Sequence, residues 1–213
     1  MEDIKPLIQL SAIEQRIIGV LIEKSRTTPD YYPMSINGLT AACNQKTSRN
    51  PVVNYDEETV VLTLNGLKIK GLASTVTGAG SRAVKWKHNL AIMYPLLPSD
   101  LSIVCLLLLR GPSTPGEINT NSGLMYEFET IEEVQESLQK LATSEPTYVK
   151  QLAKKAGQKE ARYMHLFGGA QEPENPEQEI TAVAPNTDPA LEERISKLEQ
   201  EVQELREMLN LLM

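Results

Sequence analysis

Cysteine and histidine are scarce in this chain, with two of each in 213 residues. Cys43 and Cys105 each sit inside an apolar helical pattern and read as isolated, buried thiols, which excludes a disulfide framework and a zinc site. Long apolar runs are missing too. The longest, Ile103 to Leu109, is stopped by Arg110 and Gly111 and falls far short of the about 20 residues a membrane-spanning helix needs. The opening residues, Met1-Glu2-Asp3-Ile4-Lys5-Pro6, carry neither the basic start nor the apolar stretch of a secretory signal, so a cytoplasmic protein with no membrane partner is expected. What is present is ordinary for a globular chain: 41% apolar and 23% charged residues, enough to build a packed core.

The residues carry no recognisable catalytic motif. His88 and His165 fall at the ends of predicted strands, with no serine or cysteine nucleophile motif and no orienting acid beside either. Gly78-Ala79-Gly80-Ser81-Arg82 lacks the Gly-Lys-Ser/Thr ending of a phosphate loop and precedes a strand, so it reads as a hairpin turn. The acidic groups Asp56-Glu57-Glu58 and Glu132-Glu133 suit helix starts, where carboxylates meet the positive end of the helix dipole. No enzyme, cofactor or metal site is implied.

The net charge of −7 is uneven. Residues 1–90 carry 11 basic against 8 acidic side chains, residues 91–167 carry 7 against 9, and residues 168–213 carry 3 against 11. The tail is acidic, and the first segment mildly basic.

Two segments repeat one order of elements. Ser11-Ala12-Ile13-Glu14 has capping-box spacing and opens a helix with Ile13, Ile17, Val20 and Leu21 in helical period. Pro29 and Pro33 break it, Ser35 caps a second helix, and a third begins at Asp56 and closes at Gly71. A hairpin follows, with Leu72–Thr77 against Arg82–Lys87. The second copy has helices over 99–109, from Thr114-Pro115-Gly116-Glu117, and from the capping box Thr130-Ile131-Glu132-Glu133, then a hairpin of Tyr148–Ala153 against Arg162–Phe167. Helix, helix, helix, hairpin is the winged-helix order. The expected fold is therefore α+β and mainly helical, with tandem winged-helix domains over 1–90 and 91–167.

Residues 168–189 are rich in Pro, Glu, Gln, Asn and Thr with few large apolar groups, the composition of a disordered acidic linker. Beyond them Leu191, Ile195, Leu198, Val202, Leu205, Leu209 and Leu212 alternate at spacings of four and three, a heptad seam. Mostly β-branched residues at a with leucine at d favour a parallel two-stranded coil over 190–213, hence a homodimer. The alternative is a helix that folds back onto the modules.

Several motifs resemble the YceH-type family of bacterial proteins: Thr28-Pro29-Asp30-Tyr31-Tyr32-Pro33-Met34-Ser35, the run Ala42 to Val52, Gly80-Ser81-Arg82, Leu107 to Pro112, and Arg162-Tyr163-Met164-His165-Leu166. The resemblance spans about residues 8–167 and implies a tandem winged-helix fold; it brings no activity with it. Asn89, Asn119, Asn121 and Lys159 stand where that family's pattern has arginines, which thins any basic surface on the second module.

Binding remains, in two forms. In the first, a regulator-like protein binds duplex DNA through its first module, with Lys46, Thr47, Ser48 and Arg49 before the third helix and Lys68, Arg82, Lys85 and Lys87 on or near the wing contacting phosphates. In that reading Asp56 and Glu57 oppose phosphate, and Lys46 and Arg49 have the alternative of capping carbonyls and pairing with acids. In the second, the modules form a dimeric scaffold that grips a protein partner, resembling segregation and condensation protein B in architecture. DNA binding is the expected function of the two, and fold alone does not decide between them.

Overall fold

Ser11 starts the first helix as its spacing from Glu14 predicts. Its hydroxyl accepts the Glu14 amide at 3.4 Å, while Glu14 Oε2 accepts the Ser11 amide at 2.9 Å. Helix α1 runs Ala12–Thr27. A 3-10 turn at Pro29–Tyr31 follows, then α2 at Ile36–Cys43, capped by Ser35, and α3 at Glu57–Ile69, capped by Asp56, which accepts the Thr59 amide at 2.7 Å. Strands β1 (Ala73–Thr77) and β2 (Val84–His88) pair antiparallel with Thr75 opposite Trp86. The order then repeats: a single turn α4 (Leu90–Met93), α5 (Pro98–Arg110), α6 (Pro115–Ser122), α7 (Ile131–Thr143), and β3 (Val149–Gln151) antiparallel to β4 (Tyr163–His165).

This computed structural model describes residues 6–77, 84–154 and 157–169, all within a unit spanning residues 1–172. Among them the chain is α+β and mainly helical, with seven α-helices and two small antiparallel sheets. None of these helices is long and apolar enough to cross a membrane. Arg82, the greater part of the expected linker over 168–189, and the seam residues Leu191, Ile195, Leu198, Val202, Leu205, Leu209 and Leu212 lie outside the described residues.

Two local expectations need correction. The second hairpin is ordered into strands of only three residues each, shorter than Tyr148–Ala153 against Arg162–Phe167. The Thr130 box is half made: Thr130 Oγ1 accepts the Glu133 amide at 3.2 Å, but the Glu133 carboxylate turns to the Glu129 amide and the Tyr126 hydroxyl at 3.0 and 2.9 Å.

The core is built on α1 and α5. Ile17, Ile18, Val20, Leu21 and Ile22 are buried in succession on α1, as are all residues from Leu101 to Leu109 on α5. A helix covered on every side must lie inside the molecule. The two helices pack on each other, so both halves share one apolar core. They come close at Gly19, where a Cβ would lie 2.8 Å from Leu109 Cδ2, and where the Cys105 thiol donates to the Gly19 carbonyl at 3.2 Å. Gly19→Val is expected to cost about 1–3 kcal/mol through overpacking. Urea unfolding measures it, and an unchanged midpoint would show that the helices can separate freely at this point.

The chain before α1 ties onto the end of the second half. The Leu10 amide donates to the Phe167 carbonyl at 2.6 Å, and the Tyr94 hydroxyl accepts from the Ile8 amide at 2.9 Å while donating to the Pro6 carbonyl at 3.0 Å. Tyr94 also meets Tyr148 and Phe167 edge-on, with centroids 5.8 and 6.1 Å apart, inside the favourable range for aromatic pairs.

Candidate binding surfaces

The loop from Asn44 to Tyr55 carries four of the residues assigned to phosphate contact. It is closed by the Asn44 side chain, which donates to the Tyr55 carbonyl at 2.7 Å and accepts the Tyr55 amide at 2.8 Å. Lys46, Thr47 and Ser48 are exposed on it. Arg49 is not. Its side chain is 0% exposed and turned inward, with Nη1 and Nη2 on the two Glu23 oxygens at 3.0 and 2.6 Å. The remaining donors reach the Ala42 and Ser48 carbonyls and Gln45 Oε1. Arg49 thus does not present its guanidinium at the loop surface, where phosphate contact would need it. It is a structural cation that caps carbonyls, and the acid it pairs with is Glu23 on α1, not the acids that open α3. Burial raises the Glu23 carboxyl, but hydrogen bonds and charge from Arg49, helped by Lys24, outweigh it and hold the group below the ordinary carboxylate value.

The lysines assigned to the wing divide between its faces. Strand alternation turns Trp86 inward and puts Lys85 and Lys87 on the opposite side, across from Val76 and Ser74. Lys68, exposed near the end of α3, reaches Thr75 Oγ1 at 3.4 Å, on the Trp86 side of the sheet. Lys68 and the pair Lys85 and Lys87 therefore lie on opposite faces of the wing.

The solvent face of α3 carries different chemistry. Val60, Leu64 and Leu67 are buried, while Glu58, Leu62, Asn65 and Ile69 fall on an outer stripe at spacings of four, three and four. Leu62 is 66% exposed and Ile69 89% exposed. With Glu57 and Glu58 at the start of the helix, this surface is apolar in its body and acidic at one end. Leu62 and Ile69 fall outside the inward stripe by which the sequence marks this helix. The available signal was that Leu62 and Ile69 are large aliphatic side chains off the core period.

Ser25 Oγ lies 3.5 Å from His88 Nε2, but its proton goes to the Ile22 carbonyl at 2.7 Å. Nδ1 of His88 and Nδ1 of His165 are buried and face no hydrogen-bond partner. Among the described residues no group of three or more His, Cys, Asp or Glu is placed to hold a metal ion.

Comparison with known proteins adds a lineage. The family model described as protein of unknown function DUF480 matches residues 10–158. The chain belongs to the DUF480 family. Among its DUF480 relatives, a UPF0502 protein of Shewanella piezotolerans is 46% identical over 95% of this chain and 96% of its own length. One from Shewanella pealeana is 44% identical over 97% and 99%, and one from Opitutus terrae is 41% identical over 95% and 85%. The resemblance seen in the motifs thus extends over nearly the whole chain.

Proposed function

We propose that this DUF480 protein is a non-enzymatic, cytoplasmic interaction module, two winged-helix halves that bind another protein through the solvent face of α3. The observation that carries the reading is the pair Leu62 and Ile69, exposed on the helix that a DNA-binding winged helix would present to the major groove. An aliphatic stripe with Glu57 and Glu58 at its end repels phosphate and suits an amphipathic helix of a partner that offers apolar residues flanked by Lys or Arg. The role of Arg49 inside the loop supports the same choice, since it removes a cation from the phosphate-binding set. Self-association through 190–213 belongs to this proposal and would present two such faces at once.

Duplex DNA is the second reading, favoured by exposed Lys46 and by Lys85 and Lys87 on one face of β2. One experiment separates the two. A photo-crosslinking residue at position 69 of the full chain is expected to capture a protein in cells, with capture lost on Leu62→Glu, while the purified chain leaves duplex DNA unshifted at low salt. A salt-dependent DNA shift that weakens with Lys85→Ala and Lys87→Ala and ignores Leu62→Glu would overturn the proposal, because phosphate binding releases counterions and follows the cations.

A further inference from the structure

Three of the motifs that resemble the YceH-type family are far apart in sequence yet meet in one recess. The loop at Ser48 to Asn50, the end of α5 at Arg110 to Ser113, and Arg162 before β4 line a polar groove of about 370 Å³, closed on a further side by Glu117 and Asn121 of α6. Backbone bonds hold its walls together: the Asn50 amide donates to the Leu109 carbonyl at 2.8 Å, and Ser113 pairs with Tyr163 in both directions at 3.0 and 2.9 Å. Gly111 turns the chain at φ +79°, a conformation that other residues rarely adopt, and so aims Arg110 and Ser113 into the same space.

The charges in the groove do not balance. Arg162 is matched by Glu117 through two bonds of 2.8 and 2.7 Å and also caps the Pro112 carbonyl. Arg49 is matched by Glu23 behind the wall. Arg110 has no carboxylate among the described residues; its Nη2 rests on Ser48 Oγ at 2.8 Å. Around it stand groups with hydrogen-bonding capacity to spare. The Asn50 side chain makes no hydrogen bond among the described residues. Asn121 uses one amide hydrogen on the Glu117 carbonyl at 2.7 Å and keeps its other hydrogen and its oxygen. Ser48 accepts from Arg110 and keeps its own proton. An unmatched guanidinium with hydroxyl and amide donors on different sides fits a tetrahedral oxyanion, whose several oxygens accept from several directions.

We propose that this groove binds the phosphate group of a small ligand, held by Arg110 with Ser48 and Asn50. The site lies on residues separate from the α3 stripe, so its test and the test of the protein-binding reading fail independently. The probe is inorganic phosphate, titrated into the full chain against chloride at equal ionic strength and followed by amide NMR. Saturable shifts at Ser48, Asn50, Gly111 and Asn121 are expected. Arg110→Gln should weaken binding at least tenfold, and Arg110→Lys should retain part of it. Asn121→Glu keeps Arg110 in place but adds a competing carboxylate, and should abolish the shifts while leaving the rest of the spectrum unchanged. Three outcomes overturn the proposal: shifts that do not saturate or that chloride reproduces, shifts that survive Arg110→Gln, and displacement of phosphate by duplex DNA in an Arg110-dependent way, which would assign the groove to a nucleic-acid backbone.

Discussion

Arg49→Ala is expected to destabilise the fold by about 3–5 kcal/mol, the range for breaking a buried ion pair by removing one partner. The guanidinium is fully covered and Glu23 is 15% exposed, so the carboxylate left behind cannot recover its hydration. Two carbonyls, of Ala42 and Ser48, lose donors at the same time. Arg16 lies close enough to feel the charge of Arg49; burial, and then that like charge, lower the Arg16 pKa. Its Nη2 is held by the Pro51 carbonyl, while its buried Nη1 has no hydrogen-bond partner. Arg49→Lys should recover only part of the loss, since an ammonium cannot bond both Glu23 oxygens in the fork geometry and still reach Ala42 and Gln45. Urea unfolding of the full chain reads the effect. A loss below about 1 kcal/mol would mean that the ion pair opens to solvent and that Arg49 is available for a ligand after all.

Element order and helix starts were legible in the sequence because they rest on local chemistry. Ser11, Ser35, Asp56, Thr114 and Thr130 each accept an amide three residues on, at the positions where hydroxyl or carboxylate spacing predicts a helix start. The run Ile103–Leu109 also foretold its own surroundings, since seven apolar residues in a row leave a helix no polar face to show to water. Two things were not legible. A loop arginine between Ser48 and Asn50 has the same composition signal whether it points out to a phosphate or in to Glu23, a residue 26 positions away. Only the three-dimensional path of the loop across α1 decides. In the same way, reading α3 by its inward period accounts for Val60, Leu64 and Leu67 and leaves Leu62 and Ile69 looking like scatter, although they are the largest apolar groups that helix exposes. The groove at Arg110 lay beyond reach for a third reason: its walls come from three separate parts of the chain, and no window of sequence contains them together.

Mild acid is expected to weaken the protein well before its carboxylates titrate. Burial lowers His88 from 6.5 to about 4, with a smaller contribution from the charge of Arg26, and burial alone lowers His165 to about 4. The geometry agrees, because Nδ1 of each ring is covered and faces no acceptor, so a proton placed there would be neither hydrated nor paired. Both folded values lie below the unfolded one. Between about pH 6.5 and pH 4 the unfolded chain therefore binds more protons, and stability falls as pH is lowered through that window. Each ring contributes up to about 1.4 kcal/mol per pH unit there, so going from pH 7 to pH 5 should remove about 2 kcal/mol per histidine and on the order of 4 kcal/mol for the two. Glu14, Glu23 and Glu117 contribute little to the slope between pH 7 and pH 5. Their folded values lie below 4.5, so their stabilisation is present above that value and is lost only at lower pH. Urea midpoints at pH 7, 6 and 5 give the slope, and His88→Gln and His165→Gln should each remove about half of it, since an amide does not titrate. Equal midpoints at pH 7 and pH 5 in the unaltered protein would show that both rings accept a proton in place, and that the Nδ1 atoms are open to water in solution.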